Sequence, residues 1–173
     1  MGVQTSYNYG ISKGMAGGLY DMSYYENNTF TTPGGIPFGY GVVKGANPGV
    51  DVRLPDTGSK AADFEGIVQN GFTTMQDMNG KAVPEKDSSI GVLRTGKIWG
   101  AVGAKAQPAY DKPVYLITDG DEAGRFTTEE DASTKLLLPL RFIDEKDELE
   151  EESPGAEKEL FAPFLEGEEF SYA

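Results

Sequence analysis

Few side chains in this sequence are equipped for chemistry, and carboxylates dominate them. Asp119, Asp121 and Glu122 place three acids within four residues, a density that points first to a calcium loop. Calcium takes roughly six to eight oxygens at fixed offsets, with a later bidentate acid to complete the shell. That spacing is missing, and turn chemistry accounts for these acids better. Asp63 and Glu65 stand two apart, so on a strand they share a face. Carboxylate pairs that cleave glycosides normally come from separate elements about 5–9 Å apart, so a solvated surface is the expectation here. Gly39-Tyr40-Gly41 and the glycines between Gly14 and Gly18 are no nucleotide fingerprint, because no strand-to-helix context surrounds them. The chain has neither histidine nor cysteine. Disulfides, thiolate nucleophiles, histidine bases, the Ser-His-Asp triad and His/Cys metal sites are therefore excluded. No active site assembles. The expectation is a protein that is not an enzyme and uses no cofactor and no metal.

Composition narrows the remaining classes. With 173 residues the chain suits one well-buried domain. Its 23 glycines are nearly twice the usual ~7%, and with 10 prolines they favour short strands joined by turns. No run approaches the ~18 apolar residues of a membrane span. Gly2 and Ser6 nominally fit a myristoylation pattern, but nothing else points to a membrane. The net charge of −13 is unevenly placed. Residues 144–173 carry twelve acids against Lys146 and Lys158, which leaves the body close to neutral. No basic stripe is available to displace counterions from phosphates, so nucleic acid is not an expected partner.

The stretch that organises the rest is Ser89–Val102. Ile90, Val92, Ile98 and Val102 alternate with Leu93, Thr95, Lys97 and Trp99, which predicts a strand, or two strands broken near Thr95-Gly96. It holds the only tryptophan, expected in the core. Strands are also predicted at Phe38–Lys44, Val50–Leu54, Phe64–Val68, Val114–Thr118, Arg125–Thr128 and Leu136–Ile143. Pro139 places the last at an edge or a bulge. Asn27-Asn28 reads as a polar loop, Phe72–Val83 as a short helix or a loop, and Asp119–Gly124 as a hairpin connection. About seven or eight strands at ~10–15 residue spacing predict an all-β fold, an antiparallel β-barrel or sandwich.

The ends read differently from the body. Residues 1–20, rich in tyrosine and glycine without helical period, form an extended N-terminal arm. It either docks on a partner or folds onto its own domain. Residues 21–143 are the β-rich domain. Residues 144–173 are an acidic linker and docking tail. Within that tail Leu160, Phe161, Phe164 and Leu165 recur at helical spacing, although Pro163 allows at most a short turn. The tail docks on a partner in this reading, and the alternative is that it lies back on its own barrel.

Several pieces occur in a telling order: Thr5-Ser-Tyr-Asn-Tyr-Gly, Ala16-Gly-Gly-Leu-Tyr-Asp, Phe38-Gly-Tyr-Gly-Val-Val-Lys-Gly and Ala62-Asp-Phe-Glu-Gly-Ile. Gly91-Val-Leu-Arg-Thr-Gly-Lys-Ile-Trp, Pro113-Val-Tyr-Leu-Ile-Thr, Gly124-Arg-Phe and Arg141-Phe142 follow. The ordered set resembles the structural cement (capsid decoration) proteins of tailed bacteriophages over about residues 3–142. Beyond Phe142 the acidic tail is an addition to that pattern. The resemblance implies a β-rich accessory protein, made in the host cytoplasm and carried on the outer surface of the virion capsid. It would bind the major capsid protein and neighbouring copies of itself, as dimers or trimers, and hold the shell against packaged DNA. Tyr7, Tyr9, Tyr20, Phe161, Phe164 and Phe170 are the expected contact residues. An adhesion or carbohydrate-binding β-sandwich is the alternative, and a hydrolase using paired acids is a weaker one.

Overall fold

The computed structural model describes residues 14–71, 84, 86–131 and 133–143, together with the backbone of 147–148 and 160–166. The strands are β1 (Glu26–Thr31), β2 (Gly41–Lys44), β3 (Val52–Arg53), β4 (Phe64–Val68), β5 (Ser89–Thr95) and β6 (Trp99–Val102). After them come β7 (Pro113–Ile117), β8 (Phe126–Thr127), β9 (Lys135–Phe142), β10 (Asp147–Glu148) and β11 (Leu160–Glu166). Short 3-10 turns at Ala61–Asp63 and Gly120–Glu122 are the helical elements among the described residues.

The strands form two sheets. Sheet one runs β1-β5-β4-β2-β3, all antiparallel. Sheet two runs β10-β11-β6-β8-β7-β9, and β11 also pairs with β9. The all-β expectation holds, but the arrangement is two sheets rather than a closed barrel, and it is not purely antiparallel. After β6 the chain loops out, returns as β7 and turns through Gly120–Glu122. β8 then inserts between β7 and β6, and lies parallel to β6 with Val102 opposite Phe126.

Ser89–Val102 is a broken pair, and the break separates the sheets: β5 belongs to sheet one and β6 to sheet two. Gly96 makes the break at φ 125°, where a Cβ would sit 2.8 Å from the Tyr25 side chain. Pro139 falls at a bulge, since Leu138 pairs with Val114 but Arg141 with Pro113. Several expectations change, among them the start of Phe38–Lys44, where the strand begins at Gly41. Asn27 and Asn28 belong to strand β1, because pairing with β5 and burial of Phe30 outweigh their poor β propensity. Val50–Leu54 contracts to the two residues of β3. The helical spacing at Leu160–Leu165 gives way to strand β11, with Pro163 where the strand changes partner from β6 to β9. Residues 72–83 lie outside the described residues.

Sheet one is covered on both faces, so neighbouring residues on its strands enter two different cores. Val43, Ile67 and Leu93 pack against Val102, Leu116, Phe126 and Phe142 of sheet two. Val42, Val68 and Val92 face the opposite way, into a second cluster with Phe30, Ile36, Tyr40 and Val52. The consecutive apolar pairs Val42-Val43, Ile67-Val68 and Val92-Leu93 are what a doubly buried sheet requires.

Glu65 departs from the solvated surface expected of it. Its side chain is 2% exposed and is paired with Arg94, whose guanidinium lies 6.0 Å from the centre of the Phe30 ring. Register explains the change. Val42 pairs with Gly66 and Val43 with Phe64, which leaves Glu65 as the bulged residue and re-aims its side chain. Asp63 instead accepts the Lys60 amide at 3.0 Å and closes the Ala61–Asp63 turn. The pair is asymmetric, because Arg94 keeps 32% exposure while Glu65 keeps almost none. Arg94→Ala is therefore expected to destabilise by about 3–5 kcal/mol in urea unfolding, because it strands a buried charge. Glu65→Gln, which leaves a partly hydrated arginine, should destabilise less.

Candidate partner-binding surface

Residues 14–21 run beside Lys97–Trp99 and bond to it as a strand would. Gly17 donates to the Trp99 carbonyl at 2.7 Å, Trp99 donates to Gly18 at 2.8 Å, and Tyr20 donates to Lys97 at 3.0 Å. Leu19 and Ile98 form an antiparallel bridge. From the other side, Asn70 donates to the Gly17 carbonyl at 2.7 Å. Glycine is needed at position 14, since a Cβ there would overlap the Trp99 ring. The Tyr20 ring lies against the same indole, 5.6 Å between centres and tilted 45°. Trp99 is buried beneath this segment, as its size leads one to expect.

Asp21 fastens this segment electrostatically. Its carboxylate accepts Lys97 Nζ at 2.6 Å and the Ser23 amide at 3.0 Å, together with the Ser23 hydroxyl. These bonds, Lys97 first, hold its pKa down to about 2 from an ordinary 3.8. Beyond this clamp the chain carries large apolar side chains into solvent. Met22 is 86% exposed and Tyr24 78%, and Tyr25 is also exposed. Scattered exposed apolar residues are ordinary, but three within four residues form a patch of the kind that marks an interaction surface. Sequence reading passed over them. The available signal was a cluster of large apolar residues between Asp21 and Glu26 with neither helical nor strand period.

Of the expected contact residues, Tyr20 is half-buried on Trp99, beside the Met22–Tyr25 patch. Phe161 and Phe164 fall on β11, opposite Ala101 and Phe142 respectively. Tyr7, Tyr9 and Phe170 lie outside the described residues. Residues 14–21 and β11 converge on β6: Trp99 bonds the former through its amide and carbonyl, and stands in register with Pro163.

Asp119, Asp121 and Glu122, weighed as a calcium loop and assigned to turn chemistry, line an open cleft of about 330 Å³ with Lys105, Glu129 and Lys135. Glu122 accepts the Ala104 amide at 2.9 Å and lies 4.0 Å from Arg125, while Glu129 pairs with Lys135 at 3.2 Å. These two acids tie loops together. Among the described residues no three carboxylates converge as a cation site would need.

Comparison with known proteins follows the same lines. The family model described as "Structural cement protein (E217 gp24/Pam3 gp6)" matches residues 3–157, so the likeness runs past Phe142 into the acidic stretch expected to be an addition. A chain of the solved structure described as "The capsid of Myoviridae Phage XM1" is similar at a TM-score of 0.64 and 22% identity. The likeness covers 94% of this chain and 97% of that one, and at that identity it bears on the fold. No curated protein matches.

The Asp21 clamp predicts a defined pH dependence. A carboxyl whose folded pKa is lowered stabilises fully above its unfolded value and loses that contribution as pH falls through the folded one. The stability gap between wild type and Asp21→Asn should therefore be complete above pH 3.8 and close as pH falls to about 2. Urea titrations followed by Trp99 fluorescence measure it. A gap that stays constant across that window would contradict the clamp.

Proposed function

We propose, because the chain belongs to the structural cement protein family of phages, that it binds the outer surface of an icosahedral head. There it would contact the major capsid protein and brace the shell against the pressure of packaged DNA. Family membership across residues 3–157 carries this reading, and it points to a structural role without catalysis. The surface chemistry suits it. A protein that reinforces a lattice needs apolar and aromatic side chains held at fixed positions on a stiff body, with little entropy left to lose on docking. Met22 and Tyr24 stand on a segment clamped to Trp99 and meet that requirement. Tyr7, Tyr9, Tyr20, Phe161, Phe164 and Phe170 complete the proposed contact set, drawn from both ends of the chain. Contacts of modest strength, repeated by neighbouring copies in dimers or trimers on one rigid shell, add through effective concentration.

The test is reconstitution. Purified chain is added to mature heads that lack it, and the heads are then heated. Saturable binding with a raised disruption temperature is expected, and absence of both would overturn the proposal. Met22→Ala/Tyr24→Ala should weaken binding at least ten-fold, since buried aromatic anchors are commonly worth about 2 kcal/mol or more each. The melting temperature of the free protein should barely move, because both side chains are already in solvent. Chains lacking residues 1–20 or 144–173 apportion binding between the two ends.

A further inference from the structure

Among the described residues β1 pairs along its length with β5 on one side, and on the other makes only the single bridge of Thr31 to Asp51. The ladder fixes which of its backbone groups point outward. Gln69 donates to the Gly91 carbonyl at 2.9 Å, so Gly91 faces β4, and its neighbours Ile90 and Val92 face β1. Phe30 and Asn28, opposite them, therefore bond inward. Asn27, Thr29 and Thr31 present their amides and carbonyls outward. The Thr31 amide is taken by the Val50 carbonyl at 2.9 Å. No hydrogen bond among the described residues reaches the main chain of Asn27 or Thr29. The edge also lacks the usual protections, since β1 contains no proline, no lysine and only one charge, Glu26.

We propose that β1 is a two-fold pairing edge, and that a second copy of this chain adds its own β1 antiparallel, centred on Asn28. Register carries the argument. The open window, Glu26 to Phe30, is symmetric about Asn28, being closed beyond it by Val50. In that register Asn27 of each copy stands opposite Thr29 of the other. These are the two residues with free outward groups, so each pair exchanges both of its hydrogen bonds. Glu26 falls opposite Phe30 of the second copy, so no like charges face each other. Thr31 falls opposite residue 25, which brings Val50, 60% exposed on its turn, against Tyr25 of the second copy. The exposed Val50 is thus covered by Tyr25, which lies at the end of the Met22–Tyr25 patch. Most of the net negative charge lies in residues 144–173 and not on this edge.

The inference stands on the edge alone. Failure of the dimer would leave head binding untouched, and failure of head binding would leave the dimer. The full chain is tested by sedimentation across a concentration series, with dimer expected. Thr29→Pro removes only an outward donor, at an edge where proline is tolerated. It should sediment as monomer with unchanged Trp99 emission and a melting temperature that no longer depends on concentration. Should that variant misfold, Asn27→Lys/Thr29→Lys places like charges opposite each other and should give the same result. Because the chain has no cysteine, Asn28→Cys provides a register test. Residues 28 of the two copies form a non-hydrogen-bonded pair about 4.5 Å apart between Cα atoms, close enough for a disulfide. Oxidation should link Asn28→Cys into a covalent dimer and leave Thr29→Cys unlinked. A monomeric wild type with no cross-link overturns the proposal, as does a dimer indifferent to Thr29→Pro and to the lysine pair. Conversion of monomer to dimer on removing residues 2–13 would place the chain's own arm on the edge, and overturn it equally.

Discussion

Burial of sheet one on both of its faces is the constraint from which most of this structure follows. A sheet covered on one side needs apolar residues at every second position, whereas this one needs them at every position in its middle strands. Val42-Val43, Ile67-Val68 and Val92-Leu93 supply them. One layer of cover is sheet two. The other is irregular chain, with Ile36 and Tyr40 as its buried members. Two cores imply a crossing between the sheets, and the short passage from β5 to β6 through Gly96 makes it. A charged group carried into such a sheet has to bring its partner, as Glu65 does with Arg94.

Local pattern made the middle of the molecule readable. Phe64–Val68 and the strand ending at Phe142 were visible as β-branched and apolar runs, and Pro139 marked its bulge because proline has no amide for the ladder. The break at Gly96 was readable as a glycine, but its consequence, that the two halves enter different sheets, was not. Pairing between distant segments decides that, and a single sequence does not display it. The same limit hid β1, whose Asn27 and Asn28 are strand only because β5 lies beside them. Glu65 illustrates a finer version. Alternation placed it with Asp63 on the surface, and one bulged residue reversed its direction. At the candidate surface, tyrosine-rich composition drew attention to residues 1–20, and the exposed patch of the described residues begins just after them. The residues that stand free, Met22 and Tyr24, emerged only once the clamp just before them was seen.

The segment before Asp21 and strand β11 meet on β6, so the two are not mechanically independent. A load applied through either one reaches Trp99 within a bond or two, and passes from there across Gly96 into β5 and sheet one. For a protein whose proposed work is to resist strain in a shell, this gives a route by which force entering at the periphery is shared by both cores. The aromatic stack of Tyr20 on Trp99 and the hydrogen bonds of Gly17, Gly18 and Tyr20 lie in parallel along that route.

The pairing of β11 with β6 also sets an order in time. Leu160 lies opposite Val102, so sheet two has to wait for residues almost sixty positions downstream before that side of β6 is covered. Contacts of such long sequence separation form late, since the closure entropy of the intervening loop must be overcome first. During synthesis sheet one can complete its ladder from residues 26–95 while sheet two is still lacking a strand. The strand that carries the tryptophan is thus the last to be enclosed. A chain interrupted before residue 160 leaves the ribosome with a live β edge beside its largest aromatic side chain.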